Sequence, residues 1–204
     1  MGTRGLLGLR KKGHTIAVYH HFDSYPEGLG YGFTEFLKKN TNEKLSRMFD
    51  NIVEIDPDSI PTEEQKQYCE QMLWCNLDVS TRSTADWYCL LRETQEPENW
   101  QFAVDHGKTI YVDNYIDFIK DSLFCEYAYI YDVNSRALEF YDGFQKVPQE
   151  SNPYGREPNE DGYYPCRMVG AICKEDVDKS DVKAIVRWMN GCLEGEKYAE
   201  RQSH

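Results

Sequence analysis

The length, composition and charge of the chain exclude several classes of protein. It has 204 residues, and 35 acidic against 23 basic residues give a formal net charge of −12. This charge disfavours a nucleic-acid partner, because a polyanion needs a strong local basic patch and the longest basic run is Arg10-Lys11-Lys12. The 15 Tyr, 9 Phe and 4 Trp residues predict a folded aromatic core rather than a disordered chain.

Cysteine usage and hydropathy predict the compartment. Seven cysteines without a Cys-x-x-Cys pair indicate reduced thiols rather than disulfides or a structural zinc site. No apolar stretch of the sequence approaches the roughly 18 residues of a membrane span, and residues 1–6 lack the apolar region of a signal peptide. We expect one cytoplasmic α+β domain over residues 1–204, with no membrane partner and no cofactor.

The first predicted elements are a hairpin and a helix. Apolar segments at residues 5–9 and 15–19 flank a basic loop, in which Gly13 can adopt the positive φ of a tight turn. The pair Asp23-Ser24 is expected to cap a helix over residues 29–40, whose apolar side chains recur at helical spacing.

Three further helices follow. Residues 43–50 carry their apolar side chains on one helical face, and residues 62–74 open with a capping box formed by Thr62 and Gln65. Residues 85–92 fit a helix, although their apolar run would also fit a buried strand.

The second half of the chain is richer in strands. Residues 108–112 follow a turn and predict a strand, after which Asp113 is expected to cap a helix. Tyrosines alternate with smaller apolar residues over 126–132, and this segment together with residues 137–141 predicts a second hairpin.

A long loop separates this hairpin from the last elements. Residues 144–163 are rich in proline and polar residues, and they predict a loop long enough to act as a lid or a mobile insertion. A strand at residues 166–173 and a helix capped by Ser180 follow, and the tail beyond residue 195 is expected to fray. The order of elements fits two antiparallel sheet layers covered by helices.

Three motifs carry a first resemblance. They are MGTRG at residues 1–5, HFDSYPEGLG at residues 21–30, and DSLFCEYAY at residues 121–129. Together they resemble a family of short, functionally uncharacterised proteins over most of the chain. This resemblance implies no particular activity.

A second resemblance is architectural. The chain begins with a strand of a hairpin followed by charged residues, and in this it resembles the N-terminal nucleophile (Ntn) hydrolases. The resemblance implies an αββα sandwich and hydrolysis of an amide bond, with a terminal Thr, Ser or Cys as nucleophile and its own α-amine as base. The pattern departs at one point, because removal of Met1 would leave Gly2 at the terminus, and Thr3 would need a further cleavage. The alternative interpretation of Thr3 is the start of a strand.

The densest cluster of functional side chains lies in residues 20–25. In a strand, His21 and Asp23 would share one face, so His21 could act as a base with Asp23 as its orienting carboxylate. The nucleophile would then be Ser24, Thr3 or a cysteine thiol. The structural alternative is that Asp23 or Ser24 caps the following helix and that a histidine bonds to the backbone.

The remaining candidates lie further along the chain or in the same bend. Arg4 is expected to bind an anion and Asn114 to donate to an oxyanion. A metal held by His21 and Asp23 would need His106 as a distant third ligand, so we assign no metal. The residues expected to contact a ligand are His20, Ser24, Tyr25 and Tyr127.

Two functions remain open from the sequence. The first is an amide-bond hydrolase whose site forms where the first strand meets the bend at residues 20–25. The second is a non-catalytic protein-interaction or small-ligand-binding domain, whose partner is a small molecule or a peptide. The hydrolase requires the segment around Thr3 to lie against this bend, whereas in the second function the bend caps a helix and the loop at residues 144–163 contacts a partner.

Overall fold

The computed structural model describes the backbone of residues 2–202 and the side chains of residues 2–195. The strands in this part of the chain are β1 (Gly5–Lys11), β2 (His14–His20), β3 (Ile52–Glu54), β4 (Ile110–Val112), β5 (Tyr127–Asp132), β6 (Ala137–Asp142) and β7 (Arg167–Cys173). The α-helices are α1 (Tyr31–Lys39), α2 (Asn42–Asp50), α3 (Glu63–Gln71), α4 (Trp87–Leu90), α5 (Gln101–His106), α6 (Lys174–Lys179) and α7 (Val182–Gln202). Short turns of other helix types occur at Pro26–Gly30, Arg92–Gln95, Pro97–Trp100 and Ile116–Lys120.

The main sheet joins the two predicted hairpins side by side. Its strand order is β2-β1-β5-β6-β7. Lys12 and Gly13 connect β1 to β2 with φ of 52° and 82°, the positive values that a two-residue hairpin turn requires. Both hairpins are confirmed, and the fold is α+β as predicted.

One detail of the predicted sheets is wrong. The sequence predicts antiparallel sheets, but β1 and β5 run parallel, with Gly5 opposite Tyr127. The smaller sheet is also a parallel pair, formed by β3 and β4. Hairpin patterns in a sequence predict only local antiparallel partners. They carry no information about the two long-range parallel pairings, β1 with β5 and β3 with β4. The Ntn-hydrolase-like sandwich stays a prediction.

Helices cover one face of the main sheet. Leu7, Leu9, Tyr129 and Tyr131 project from β1 and β5 into the larger hydrophobic core. Helices α1, α2 and α7 supply the facing side chains, which include Phe33, Phe36, Leu37, Leu45, Met48, Ile185 and Met189. The apolar residues that alternate in the strands and recur at helical spacing in the helices therefore form the core, as the sequence predicted.

The opposite face of the sheet packs against irregular chain. Leu6, Ala128 and Ile130 form a smaller core with Ile119 of the turn Ile116–Lys120. The long loop predicted at residues 144–163 adds Tyr154 to this core. The loop is also bonded to its surroundings, for example by Asn159 Nδ2, which donates to Asp121 Oδ1 at 2.8 Å.

Helix starts differ most from the predictions. The capping box of Thr62 and Gln65 is present. The cap predicted at Asp23-Ser24 is wrong, because the helical turn before α1 begins at Pro26 without a side-chain cap. Asp113 does not cap the turn Ile116–Lys120, since the Ile116 amide donates to Asn114 Oδ1 at 3.2 Å.

Helices α7 and α4 show three further differences. Asp181 rather than Ser180 caps α7, because its Oδ1 accepts from the Lys183 amide at 2.8 Å. Helix α7 continues to Gln202, past the point where we expected the tail to fray, while Ser203 and His204 lie outside the described residues. The helix predicted at residues 85–92 is regular only over α4.

Gly8 is a point at which the hairpin depends on the absence of a side chain. A Cβ at this position would lie 2.4 Å from the carbonyl oxygen of Ile16 and 2.8 Å from Cα of Ala17, which are fixed backbone atoms. We expect Gly8→Ala to lower the free energy of unfolding by about 2 kcal/mol or more, as measured by chemical denaturation.

Gly191 provides the matched control. It lies in α7, and no atom lies within 4 Å of the position of its added Cβ. Gly191→Ala should raise the free energy of unfolding by about 0.5–1 kcal/mol, because alanine favours a helix over glycine. Equal effects of the two substitutions would contradict the packing of β1 on β2.

Candidate functional site

Residues 2–4 lie against the bend at residues 20–25. The Thr3 Oγ1 atom accepts a hydrogen bond from the Ser24 amide at 2.8 Å. The carbonyl of Arg4 accepts from the Glu126 amide at 2.9 Å, which continues the pairing of β1 with β5. The first segment of the chain therefore meets the bend through specific hydrogen bonds.

A buried relay of polar side chains supports the bend. His20 is buried, and its Nδ1 lies 2.9 Å from Ser24 Oγ, while its Nε2 lies 3.1 Å from Glu96 Oε1. The order serine, histidine, carboxylate is that of a hydrolase triad. Ser24, however, has 0% exposed surface, so its hydroxyl cannot contact a substrate. The relay therefore stabilises the bend. Sequence reasoning missed Glu96, which is 76 positions from His20.

The backbone of the bend separates His21 from Asp23. Asp23 has a φ of 54°, and its carbonyl accepts from the Leu29 amide at 2.9 Å. Gly28 permits this contact, because a Cβ there would lie 2.0 Å from the Asp23 oxygen. The positive φ ends the alternation of the strand. The Asp23 side chain is exposed, and His21 Nδ1 is bonded to the Tyr19 hydroxyl instead, at 2.6 Å.

A hollow opens beside this bend. It encloses about 960 Å³, with the open solvent at its mouth included. Three exposed aromatic side chains line it, namely Phe22, Phe124 and Phe144, with exposed fractions of 53%, 39% and 53%. The other lining residues are Gly2, Arg4, His21, Leu123 and Glu126. We call this feature the phenylalanine hollow.

The described residues that line the phenylalanine hollow include the neighbours of Thr3 but not Thr3 itself. Gly2 and Arg4 face it, whereas the Thr3 hydroxyl is bonded to the Ser24 amide. Alternate residues of an extended chain point to opposite sides, which accounts for this division.

Arg4 supplies the positive charge of the hollow. Its guanidinium carbon lies 4.7 Å from the centre of the Phe124 ring, a distance typical of a cation–π contact. Its backbone amide, not its side chain, is bonded to Glu126 Oε1 at 3.2 Å. Among the described residues, no carboxylate forms an ion pair with the Arg4 side chain.

His21 is a neutral hydrogen-bonding group at neutral pH. Burial lowers its pKa, and the positive charges of Arg92 and Arg4 lower it further. Burial also raises the pKa of the Tyr19 hydroxyl, so Tyr19 keeps its proton and can donate it to Nδ1 of His21. In this arrangement Nε2 of His21 carries the ring proton and becomes a donor.

Asn114 lies far from Thr3. Its Oδ1 accepts from the Ala17 amide at 3.0 Å, and its Nδ2 donates to the Thr15 carbonyl at 3.1 Å. Ala17 is opposite Gly8, which lies five residues beyond Thr3 along the strand. Asn114 is therefore about 16 Å from Thr3, at roughly 3.3 Å per residue. Asn114 thus closes the open edge of β2 and is not brought together with the bend.

The other candidates occupy separate environments. Tyr127 is half-buried on the helix side of the sheet, with its ring stacked 6.2 Å from that of Phe140. Tyr25 is exposed beside the turn Pro26–Gly30. His106 is bonded to the Phe102 carbonyl in α5. Within the described part of the chain, no group of three His, Cys, Asp or Glu side chains is arranged to hold a metal ion.

Comparisons of the chain with protein-family models, with curated proteins and with solved structures gave no match. None of the described helices has the length and apolar character needed to span a membrane.

The relay predicts a pH-dependent contribution of Glu96 to stability. The hydrogen bond with His20 lowers the pKa of Glu96, so the folded state favours the ionised carboxylate. This stabilisation is fully present above the unfolded pKa, near 4.3, and is lost as the pH falls through the lower folded value. Glu96→Gln should lower the free energy of unfolding by about 1 kcal/mol at pH 7, since a half-exposed carboxylate is screened.

The measurement is denaturant unfolding at several pH values. We expect the difference between wild type and Glu96→Gln to shrink below about pH 4. Glu98→Gln, at an exposed position two residues away, should leave the stability nearly unchanged at every pH. A difference for Glu96→Gln that grew on acidification would contradict the relay.

Proposed function

We propose that the protein is a non-catalytic binding domain and that its ligand site is the phenylalanine hollow. The ligand carries an apolar group next to a carboxylate, on a small molecule or a peptide. The observation that supports this most directly is the combination of three exposed phenylalanines with an arginine side chain that has no ion-pair partner among the described residues.

The apolar part of the proposal rests on exposed surface. Phe22, Phe124 and Phe144 form one contiguous lining rather than scattered side chains. Large apolar side chains are costly to leave in water, and a clustered patch is typical of a binding site. Phe144 also has a φ of 56°, a conformation that bulky residues rarely adopt and that occurs often at functional sites.

The polar part rests on Arg4 and His21. An arginine side chain can donate two parallel hydrogen bonds to a carboxylate, and the contact with Phe124 holds the guanidinium at the wall of the hollow. His21 adds a neutral donor without another positive charge. The net charge of −12 weakens attraction of anions at long range, so we expect moderate affinity and a strong dependence on Arg4.

Hydrolysis by an Ntn-like site is the second candidate. Its support is the contact between Thr3 and the bend and the lowered pKa of His21, which keeps the imidazole in the basic form. Among the described residues, the two candidate hydroxyls are poorly placed for attack, because Thr3 Oγ1 is engaged with the Ser24 amide and Ser24 is buried. Binding is therefore the function that the geometry supports better.

Binding can be tested with a matched pair of probes. In a two-dimensional NMR titration, we expect N-acetylphenylalanine to shift the resonances of His21 and Phe124 in a saturable manner. N-acetylphenylalanine amide, which lacks the carboxylate, should bind more weakly. Arg4→Gln should weaken binding of the acid by about tenfold, as expected for loss of a charge-assisted hydrogen bond.

The control is Arg187→Gln, which removes the same charge from an exposed position on α7. It should leave the affinity for N-acetylphenylalanine unchanged. If neither probe shifts these resonances, or if both arginine substitutions have the same effect, the proposed binding site is wrong.

Hydrolysis needs a separate assay. We expect wild type, Thr3→Ala and His21→Ala to release nitroaniline from p-nitroanilide amides at the rate of buffer alone. Turnover by wild type that disappears in both variants would replace the binding proposal with a hydrolase.

A further inference from the structure

A separate cavity lies between β2, α4 and the segment that follows β4. It encloses about 320 Å³, with the solvent at its mouth included. Four aromatic side chains and one carboxylate line it: Tyr19, Trp87, Tyr88, Tyr115 and Asp113. It shares none of its described lining residues with the phenylalanine hollow, so a ligand here goes beyond the proposed function.

Asp113 is a carboxylate that the fold leaves without a cation. It is half-buried, and burial raises its pKa while a hydrogen bond with the Tyr115 hydroxyl lowers it. Among residues 2–195, no lysine or arginine forms an ion pair with Asp113. A charge removed from water is normally paired, so this carboxylate favours a ligand that brings a positive charge.

The aromatic side chains favour the same charge. The rings of Tyr19 and Tyr115 lie 5.7 Å apart at an angle of 43°, so they form two inclined walls of the cavity. Aromatic rings attract cations that lie within about 6 Å of their centres. Burial raises the pKa of Tyr115, which keeps this residue uncharged at neutral pH.

From this geometry we propose that the cavity binds a quaternary ammonium group, held by the rings of Tyr19, Trp87 and Tyr115 and by the carboxylate of Asp113, while the Tyr88 ring contacts the Arg92 guanidinium at 5.7 Å. The group belongs either to a small molecule or to a trimethylated lysine side chain. The enclosed part of the cavity is far smaller than the total that includes solvent at its mouth, so only the head group of a ligand enters it.

The hydrogen bonds already made by polar atoms of the lining favour a quaternary ammonium over a primary one. The Thr94 hydroxyl donates to the Leu91 carbonyl at 2.6 Å, Gln95 Oε1 accepts from Arg92, and the Tyr19 hydroxyl is bonded to His21. A primary ammonium carries three N–H donors that must all find acceptors on leaving water. A quaternary ammonium has no donor, so one carboxylate and aromatic rings satisfy it.

The cavity is also preorganised. The Tyr115 amide donates to the Ala17 carbonyl at 2.9 Å, which fixes the segment after β4 to the edge of β2. Trp87 Nε1 donates to Ser59 Oγ at 3.0 Å, and the Tyr88 amide donates to Asp86 at 2.9 Å. Walls that are ordered before binding cost less entropy when the ligand enters.

The test compares choline with 3,3-dimethylbutan-1-ol, in which a carbon atom replaces the charged nitrogen. We expect titration calorimetry to show saturable binding of choline to wild type and at least about fivefold weaker binding of the neutral analogue. This comparison needs no variant. Equal affinities, or no binding of choline and of N-acetyl-trimethyl-lysine amide, would overturn the proposal.

A pair of substitutions tests the carboxylate. Asp113→Asn should weaken choline binding at least about fivefold. Asp117→Asn, at an exposed aspartate that pairs with Lys120, removes the same charge and should have no effect. Equal effects of the two variants, each shown to fold by circular dichroism, would overturn the role of Asp113.

The source of the ammonium group is distinguished by a third comparison. A peptide with a central trimethyl-lysine is titrated beside choline and beside the same peptide with unmodified lysine. Tighter binding of the trimethylated peptide than of choline supports a protein ligand, whereas equal affinities support a small molecule. Equal binding of the modified and unmodified peptides would contradict the cavity's preference for an alkylated cation.

Discussion

The bend at residues 20–25 depends on complete hydrogen bonding of one buried serine. The Ser24 amide donates to Thr3, its carbonyl accepts from the Tyr129 hydroxyl at 3.0 Å, and its own hydroxyl lies 2.9 Å from Nδ1 of His20. Each of these groups would cost free energy if it were buried without a partner. Because the partners come from the first residues, β2 and β5, the bend forms only when the central strands are assembled. The residues of the phenylalanine hollow are brought together by the same assembly.

This constraint explains why exposed apolar side chains surround the bend. The positive φ of Asp23 turns the chain sharply enough to bury Ser24, and Phe22 on the outer side of the turn remains exposed. Phe124 comes from the loop before β5 and Phe144 from the loop after β6, so three distant segments contribute to one surface. Exposed aromatic residues that the core does not need are better explained by binding than by stability.

The sequence predicted what depends on local pattern and missed what depends on long-range contact. Alternation in β5 and the turn at Gly13 predicted the hairpins, and Thr62 with Gln65 predicted the start of α3. The parallel pairing of β1 with β5 joins residues more than a hundred positions apart, and no local pattern indicates it. The same limit applies to the site. A strand period placed His21 beside Asp23, but the backbone of the bend interrupts that period, and Glu96 had no pattern that linked it to His20.

The two proposed sites have opposite preferences for charge and meet at one hydrogen bond. Tyr19 lines the cavity with Asp113, and its hydroxyl lies 2.6 Å from Nδ1 of His21, which lines the phenylalanine hollow with Arg4. A cation beside Tyr19 makes its hydroxyl a stronger donor, and this strengthens the bond that leaves the ring proton on Nε2 of His21. The same proton is the one that a carboxylate in the hollow would accept. Under these two proposals we expect occupation of the cavity by a cation to favour binding of an anion in the hollow, and we expect the effect to be reciprocal because both ligands act on one shared hydrogen bond.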